Sequence, residues 1–588
     1  MSQFRLFAVA ALAVTGCGRE IDRFDLAHEC RTVRIDGRSI VRDGETYRVS
    51  RSGKAERFHL APADLGVYLL HDPEGGYVVA EDDGRLVRRT TLESDVTRLD
   101  DTYVSGAEWE LVEQQLRNRR TGRFLGPDGL LPETAEAGGT VRFRPAQDCT
   151  APPELSLDAQ GTITRTTFDN GDVYGIVDTH THLMSNWGFG GGGLYHGAPF
   201  HRLGVEHALP DCTANHGEAG RKDFIGFAFD AGGADDFDLE TVVGGLLLGE
   251  APVDNHVTEG FPEFTDWPDA VRSSTHQTSY HRWLERAYLA GLRMIVQHAT
   301  TNSVLCELST GAGDLPTRYG CDDMVAVDRS IEEVYAMERY LDAQAGGPGE
   351  GWFRVVRSPD EARQVITAGK MAVVLGIEVS NLFECRLVPR AGDPVCDEAY
   401  VVEQLDRYHD LGVRAIFPVH KYDNAFSAGD GDRNFIEVGN LFNSGHLSNF
   451  VTGDCPDVPS VFDRGPVIFG GLNAPRDDYF GPPPHDLSTF PDDPIGAATP
   501  FLSLFSEPAL EGDYCQNAGL TELGEFLVGQ LMDRGMIVEI DHMPRRSYAR
   551  AFELLADAGY PAMGTHGNTN NGLIYEHGGG SKFSFRRA

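Results

Sequence analysis

Two patterns of apolar and polar residues divide this chain. Between about residues 28 and 150, short apolar runs alternate with turn dipeptides, as in GVYLLHDPEGGYVVAEDDGRLV. Asp-Pro, Gly-Gly and Asp-Gly mark tight turns between strands. Further along, an amphipathic helix, a glycine and an apolar strand follow one another repeatedly. We therefore predict an all-β domain at 28–150, a linker at 151–165 and an α/β domain at 166–588.

The β domain contains a loose internal repeat. The stretch from ERFHLAP to GGYVVAEDDG matches the stretch from EWELVEQ to GRFLGPDG. Such lobes resemble those of a β-trefoil, although short strands of this kind also suit other small barrels. We predict a trefoil-like domain, and the trefoil resemblance makes a glycan its expected ligand.

The helix, glycine and strand pattern occurs five times in the second half of the chain. The five segments are LAGLRMIVQHAT, TAGKMAVVLGIEVS, DLGVRAIFPVHKYD, DRGMIVEIDHM and DAGYPAMGTHGN. Their glycines fall where helix C-caps belong, at Gly291, Gly369, Gly412, Gly535 and Gly559. Runs such as MAVVLGIE are apolar on both faces, as parallel strands covered by helices must be. This alternation predicts α/β architecture, either an open sheet or a (β/α)8 barrel.

Polar residues end these strands at equivalent places. Each lies seven to nine residues after its glycine, and the set is His298, Glu378, His420, His542 and His566. The carboxyl ends of parallel strands meet at one edge, where active sites assemble in barrels and in open sheets. We expect these side chains to face a common pocket.

The first strand ends in two histidines, in the stretch YGIVDTHTHLMSN. His180 and His182 are two residues apart, so on a strand both imidazoles point to the same side. Neutral imidazole is a good ligand for zinc and similar ions. Together with the carboxylate and histidines at the other strand ends, this pair predicts a metal site.

Composition excludes one class of partner and is otherwise ordinary. The chain has 588 residues, 41% of them hydrophobic, and a formal net charge of −38. Phosphates would be repelled, so we predict no nucleic-acid partner.

The first residues resemble an export signal. An uncharged apolar run after Arg5 ends in Val14-Thr15-Gly16-Cys17, which is similar to a bacterial lipobox. We predict a signal peptide at 1–16 and a lipid anchor on Cys17. The protein would then be an exported lipoprotein of the outer membrane, periplasm or cell surface. A plain signal peptide is the alternative.

Cysteine usage agrees with an oxidising compartment. The chain has ten cysteines, and nine remain when the predicted lipid-anchored Cys17 is set aside. Sequence proximity favours four pairs and leaves Cys212 over. The pairs are Cys306–Cys321, Cys385–Cys396, Cys455–Cys515 and Cys30–Cys149.

The stretch VDTHTH resembles the amidohydrolase superfamily. LGIEVS, LGVRAIFPVHKYDNAFS, LTELGEFLVGQLMDRGMIVEIDHM and MGTHGN are similar to the membrane (renal) dipeptidase family, over about residues 176–571. The resemblance implies a (β/α)8 TIM-type barrel that holds two divalent metal ions, with zinc expected. It also implies that metal-activated hydroxide attacks an amide or dipeptide carbonyl.

The resemblance assigns roles to matching residues. His180 and His182 would bind the first metal, and Glu378 would bridge both. His542 and His566 would bind the second metal. His420 would be the catalytic residue that contacts the substrate or its developing oxyanion.

The chain departs from the family in three places. His182 stands where the dipeptidases have aspartate, and His577 stands where they have a substrate-binding arginine. Only 22 residues follow His566, so we expect a barrel truncated after strand six, without the aspartate of strand eight. Alternatively, an inserted segment such as DFIGFAFDAGG or GPVIFGG supplies strands, with Asp230 in place of that aspartate.

Two long insertions, at about 187–280 and 423–517, follow strands one and four and would rim the pocket. We expect the histidines of the first insertion to be solvated, with an extra metal site as the alternative, at His196, His201, His207 and His216. Two other functions remain open. One is a non-catalytic surface glycan-binding lipoprotein with an inactive barrel, and the other is a lactonase or phosphotriesterase-like hydrolase.

Overall fold

The structure is a computed structural model. It describes residues 22–93, 103–129, 131–155, 161–223, 226–227, 249–251, 253–263, 275, 280–311, 315–429, 435–445, 450–458, 496 and 513–565. Several sequence predictions lie outside these residues, namely the signal segment, Cys17, Asp230, GPVIFGG, His566 and His577.

The N-terminal part consists of antiparallel strands. They are β1 (Cys30–Ile35), β2 (Arg38–Asp43), β3 (Thr46–Ser50), β4 (Arg57–Asp64), β5 (Val67–His71), β6 (Tyr77–Ala80), β7 (Leu86–Arg89), β8 (Glu108–Val112), β9 (Gln115–Asn118) and β10 (Val141–Pro145). Seven of them close a ring in the order β1-β2-β3-β7-β6-β5-β4 and back to β1. Strand β10 pairs with β1, and the β8–β9 hairpin pairs with β5.

This closed seven-stranded antiparallel barrel corrects the predicted trefoil. Its interior is apolar, with Phe58, Leu70 and Trp109 almost fully buried. The Trp109 indole donates a hydrogen bond to the Val78 carbonyl at 2.8 Å, which satisfies its buried N–H group. Turn dipeptides specify local hairpins, but which strands close the ring depends on long-range packing. The loose internal repeat in the sequence therefore could not predict the order of the strands in the ring.

The second part mixes strands and helices. Its strands are β11 (Ile176–Thr181), β12 (Leu292–Thr301), β13 (Phe353–Val355), β14 (Met371–Val379), β15 (Val413–Ile416), β16 (Phe450–Thr452), β17 (Tyr514–Gln516) and β18 (Ile537–Val538). Its helices are α1 (Val205–Ala208), α2 (Thr213–His216), α3 (His281–Ala290), α4 (Ser303–Gly311), α5 (Asp323–Gln344), α6 (Pro359–Thr367), α7 (Glu398–Asp410), α8 (Phe435–Ser444), α9 (Glu522–Asp533) and α10 (Arg545–Asp557).

Six of these strands form a parallel sheet in the order β11-β12-β14-β15-β18, with β13 beside β14. The sheet is a half-barrel, and only about 28% of the chain is helical. The predicted (β/α)8 TIM-type barrel, truncated after strand six, is therefore wrong. Repeated helix and strand units determine strand direction and a common functional edge. They do not determine how many strands pair or whether helices surround them, because those properties depend on contacts between distant units.

Predictions about glycines and cysteines in both parts are confirmed. All five capping glycines have positive φ, between 62° and 124°. All four predicted cysteine pairs are disulfides, and Cys212 is free and buried. Among the described helices, none combines the length and apolar character needed to cross a bilayer.

Candidate metal centre

The carboxylate of Glu378 lies near the carboxyl end of β14. All nine residues of this strand are buried, because the sheet is covered on both faces. The Glu378 side chain is only 1% exposed. Burying an ionised carboxylate costs several kcal/mol unless other groups compensate its charge. Its neighbours therefore decide what the site can do.

Four imidazoles surround this carboxylate. The Nε2 atoms of His180 and His182 each lie 3.1 Å from Oε2. The Nε2 atoms of His542 and His420 lie 3.0 Å and 3.4 Å from Oε1. Each carboxylate oxygen therefore faces its own pair of histidines. Within the first pair the two Nε2 atoms are 3.0 Å apart.

The sheet brings these residues together from distant parts of the chain. His180 lies on β11 and His182 follows it directly, so both point to the same side. In the pairing of β12 with β14, Thr300 lies opposite Glu378, so these strands end at the same edge. His420 and His542 come shortly after β15 and β18. The predicted convergence of His180, His182, Glu378, His420 and His542 is thus present.

His542 has an unusual backbone conformation, with φ of 63°. This region costs a residue other than glycine about 1–3 kcal/mol and persists where surrounding contacts enforce it. The His542 ring is buried, with Nδ1 3.2 Å from the Lys421 ammonium nitrogen and Nε2 on Glu378. The strained backbone therefore directs the ring toward the carboxylate. No sequence pattern indicated this feature.

The separations between donor atoms suit divalent cations. Two donors bound to one ion at about 2.1 Å lie about 3.0 Å apart at a right angle and about 3.4 Å apart at the tetrahedral angle. The measured separations run from 3.0 Å to 3.4 Å. His180, His182 and Glu378 form one group that can hold a metal ion, and Glu378, His420 and His542 form a second.

Electrostatics favour a charged carboxylate at the centre. Burial by itself would raise the pKa of Glu378, but the charge of His420 and hydrogen bonds from the other three imidazoles hold it well below its ordinary value. Burial and the charge of Lys421 hold the pKa of His542 well below its ordinary value. The His542 ring is therefore neutral at neutral pH, as a metal ligand must be.

A buried polar layer supports the first histidine pair. His298 stacks on the ring of His180 at 4.6 Å, and its Nε2 lies 3.5 Å from Glu539 Oε1. The Thr565 hydroxyl donates to Glu539 at 2.9 Å and lies 3.3 Å from His180 Nδ1. Burial and the charge of Asp541 raise the pKa of Glu539 well above its ordinary value.

Sequence reasoning missed most of this layer. It placed His298 at a strand end without a role, but β12 continues to Thr301, so His298 lies inside the strand. Glu539 was recognisable in MIVEIDHM, where a carboxylate interrupts a buried apolar run and therefore needs a partner. Lys421 directly follows His420 and Thr565 directly precedes His566, but neither residue carries a metal-ligand signal.

The histidines of the first insertion are mostly buried, which corrects the expectation that they are solvated. His196, His201 and His216 are at most 6% exposed, and His207 is half-buried. Burial lowers the pKa of His196 to about 3 and that of His216 to about 4. These loops fold into packed structure, because hydrogen bonds to backbone groups replace contact with water.

Comparison with known proteins identifies no relative, since no family model, curated protein or solved structure matches this chain. Fold similarity therefore carries no functional argument here, and function must be inferred from the site.

Proposed function

We propose that this protein is a divalent-metal-dependent hydrolase in which Glu378 is shared between two cations. One observation carries the proposal: each oxygen of a single buried carboxylate faces two imidazole nitrogens, 3.0 Å to 3.4 Å away. A purely structural ion pair needs one partner for each charge. Four imidazole rings around one carboxylate are instead typical of a shared metal ligand.

Zinc is the proposed metal. The donors are imidazole nitrogens and carboxylate oxygens, both of which zinc accepts at about 2.0–2.2 Å. Two cations close together repel each other, and a negatively charged bridge offsets that repulsion. The low pKa of Glu378 keeps the bridge ionised. The first cation would have three protein donors, from His180, His182 and Glu378, which leave a position for water or substrate, as catalytic zinc sites require.

A pair of such ions supplies Lewis acidity and an activated water to a carbonyl group. The protein's own residues hold and orient the reactants. His180, His182 and His542 would hold the cations. His420 lies farthest from Glu378 among the four, and we assign it the contact to the substrate oxygen, where its N–H group stabilises developing negative charge.

The proposed substrate is an amide or dipeptide-like molecule. A net charge of −38 disfavours polyanionic substrates. A neutral carbonyl group avoids this repulsion, and the resemblance to dipeptidases favours an amide over a lactone. Four disulfides support an exported protein, because such bonds persist in oxidising compartments.

Substituting the shared carboxylate tests the proposal. In Glu378→Gln the negative charge and one strong ligand for each cation are lost, so we expect zinc content to fall by about two equivalents. Hydrolysis of the best dipeptide or acyl-amide substrate should fall at least a thousandfold, in line with about 4 kcal/mol of transition-state stabilisation. Zinc is measured by elemental analysis, and activity on panels of dipeptides, lactones and phosphotriesters.

Glu108→Gln is the matched control. Glu108 is a fully buried glutamate of the β-barrel that accepts a hydrogen bond from Arg202 at 2.9 Å. Its substitution should leave zinc content and activity unchanged. Wild-type protein that binds no zinc would contradict the proposal, as would a Glu378→Gln variant that keeps all of its zinc. Selective cleavage of lactones or phosphotriesters would reassign the substrate class.

A further inference from the structure

A second group of metal-binding side chains lies in the insertion that follows β11. Cys212 Sγ is 3.5 Å from Nε2 of His256, and Nδ1 of His216 is 3.3 Å from the same atom. We call these three residues the loop cluster. Cys212 and His216 are fully buried, and the His256 side chain is 4% exposed. Cys212 is also the one described cysteine outside the four disulfides.

The spacing of the loop cluster matches a tetrahedral zinc site. Zinc binds sulfur at about 2.3 Å and imidazole nitrogen at about 2.0–2.1 Å. At the tetrahedral angle these bond lengths place sulfur and nitrogen about 3.6 Å apart and two nitrogens about 3.3 Å apart. The observed separations are 3.5 Å and 3.3 Å. All three donor atoms also lie within 4.8 Å of one another, as ligands of a single ion do.

The outward-facing nitrogens of both rings have acceptor partners. His216 Nε2 lies 3.0 Å from the Leu194 carbonyl oxygen, which only accepts, so Nε2 carries the proton. His256 Nδ1 faces Asp223 Oδ2 at 3.5 Å. Each neutral ring then directs an unprotonated nitrogen into the cluster. A hydrogen bond such as that from His216 to the Leu194 carbonyl orients metal-bound histidines in general.

The backbone brings the three donors together. Cys212 precedes α2 and His216 ends it, so a spacing of four residues puts both side chains on one face. Gly220 leaves room for the third donor, because a Cβ there would lie 2.6 Å from the His256 ring. Asp223, which faces that ring, accepts a hydrogen bond from the Gly226 amide at 2.8 Å and another from the Thr275 hydroxyl.

We propose that Cys212, His216 and His256 bind one zinc ion that fixes the fold of the first insertion. The ion would join α2 to the segment around His256, where the residues that the structure describes include little regular secondary structure. Helix α2 also contacts the glycine-rich segment after His182, since Asn215 Nδ2 donates to the Gly192 carbonyl at 2.8 Å. This site lies apart from Glu378 and its histidines and stands independently of the proposed hydrolase function.

Cobalt substitution of the full-length protein tests the site directly. A cobalt ion bound to a cysteine thiolate has a charge-transfer absorption in the near ultraviolet, which histidine and carboxylate ligands do not produce. Cobalt-loaded wild-type protein should show this absorption with an intensity that corresponds to about one cobalt-bound thiolate per chain. The Glu378→Gln variant should show the same absorption. The test therefore separates the loop cluster from the metal centre at Glu378.

Variants complete the experiment. Cys212→Ser should lose the absorption and about one equivalent of zinc. The control is His207→Gln, which changes a histidine of the same insertion that lies outside the cluster. This variant should keep both the absorption and the zinc. An absent absorption in cobalt-loaded wild-type protein would overturn the proposal even if Cys212→Ser fails to fold. An absorption that persists in a folded Cys212→Ser variant would overturn it as well.

Discussion

At the scale of single residues, the glycine at position 376 makes room for the metal centre. Gly376 lies two residues before Glu378 on β14 and opposite His298 in the pairing with β12. A Cβ at this position would lie 2.4 Å from Cδ2 of His298. The His298 ring in turn stacks on His180. The absence of one side chain thus permits the layer of rings that supports the first ligand pair.

We predict that Gly376→Ala weakens zinc binding without removing any ligand. The new methyl group would push His298 against His180, and displaced supporting groups typically cost ten- to a hundredfold in metal affinity. Overpacking should also lower the free energy of unfolding by about 1–3 kcal/mol. Competition with a chromogenic chelator measures the affinity, and urea denaturation measures the stability.

The control is Gly529→Ala in α9. No atom lies within 4 Å of a Cβ built at Gly529, and alanine is the better helix former. This variant should be more stable by about 0.5–1 kcal/mol and bind zinc normally. Unchanged zinc affinity in Gly376→Ala would show that His298 does not support the ligands.

At the scale of elements, one buried ion pair ties three strands of the β-barrel together. Asp72, directly after β5, accepts hydrogen bonds from Arg88 on β7 and Tyr47 on β3, both at 2.6 Å. The side chains of Asp72 and Arg88 are 0% and 6% exposed. Burial alone would raise the pKa of Asp72, but these hydrogen bonds and two from backbone amides lower it to about 2.

Asp72→Asn should destabilise the barrel by about 3–5 kcal/mol, because it leaves the Arg88 guanidinium buried without its countercharge. The pH dependence has a definite sign. The folded pKa lies below the ordinary 3.8, so the stability from Asp72 is complete above about pH 4 and is lost as the pH falls toward 2. The Asp72→Asn variant should not show this loss of stability at low pH. Denaturant unfolding of both proteins at several pH values measures it.

Asp83→Asn is the control, because it removes an ion pair that is exposed and not buried. Asp83 pairs with Arg85 at 2.6 Å, but both side chains are more than half exposed. Water screens such a pair, so the substitution should not change stability measurably. Equal losses in the two variants would mean that burial does not determine the strength of the Asp72 pair.

At the scale of the whole molecule, the metal-binding groups and the β-barrel belong to different cores. Each part has its own large cluster of buried apolar side chains. All three metal-binding groups among the described residues come from the part after residue 176. The first insertion also contacts the barrel, where Leu203 packs with Ala61 and Val79 and Arg202 binds Glu108. Metal loss should therefore affect the two parts unequally.

We predict that a chelator lowers the unfolding temperature of the α/β part and leaves that of the barrel nearly unchanged. Each cation present at a hundredfold excess over its dissociation constant stabilises the folded state by about 3 kcal/mol. Calorimetry with and without chelator measures the two transitions, and Asp72→Asn identifies the barrel transition by shifting it alone. An equal shift of both transitions by the chelator would contradict separate metal dependence.

Local signals in the sequence determined much of this protein. The capping glycines, the two close cysteine pairs, the side on which His180 and His182 point and the strand-end positions of Glu378, His420 and His542 were all readable, because each depends on neighbouring residues or a short period. His566 stays a prediction, since it lies outside the described residues.

Tertiary structure alone decided the rest. The seven-stranded ring, the parallel half-barrel, the contact of His298 with Glu539 and the joining of Cys212 to His256 all bring together residues far apart in the chain. Such contacts depend on which strands pair and how loops pack, and these are settled by the summed burial and hydrogen bonding of the whole fold. Local patterns specify the donors, and only the folded chain brings their atoms to coordination distance.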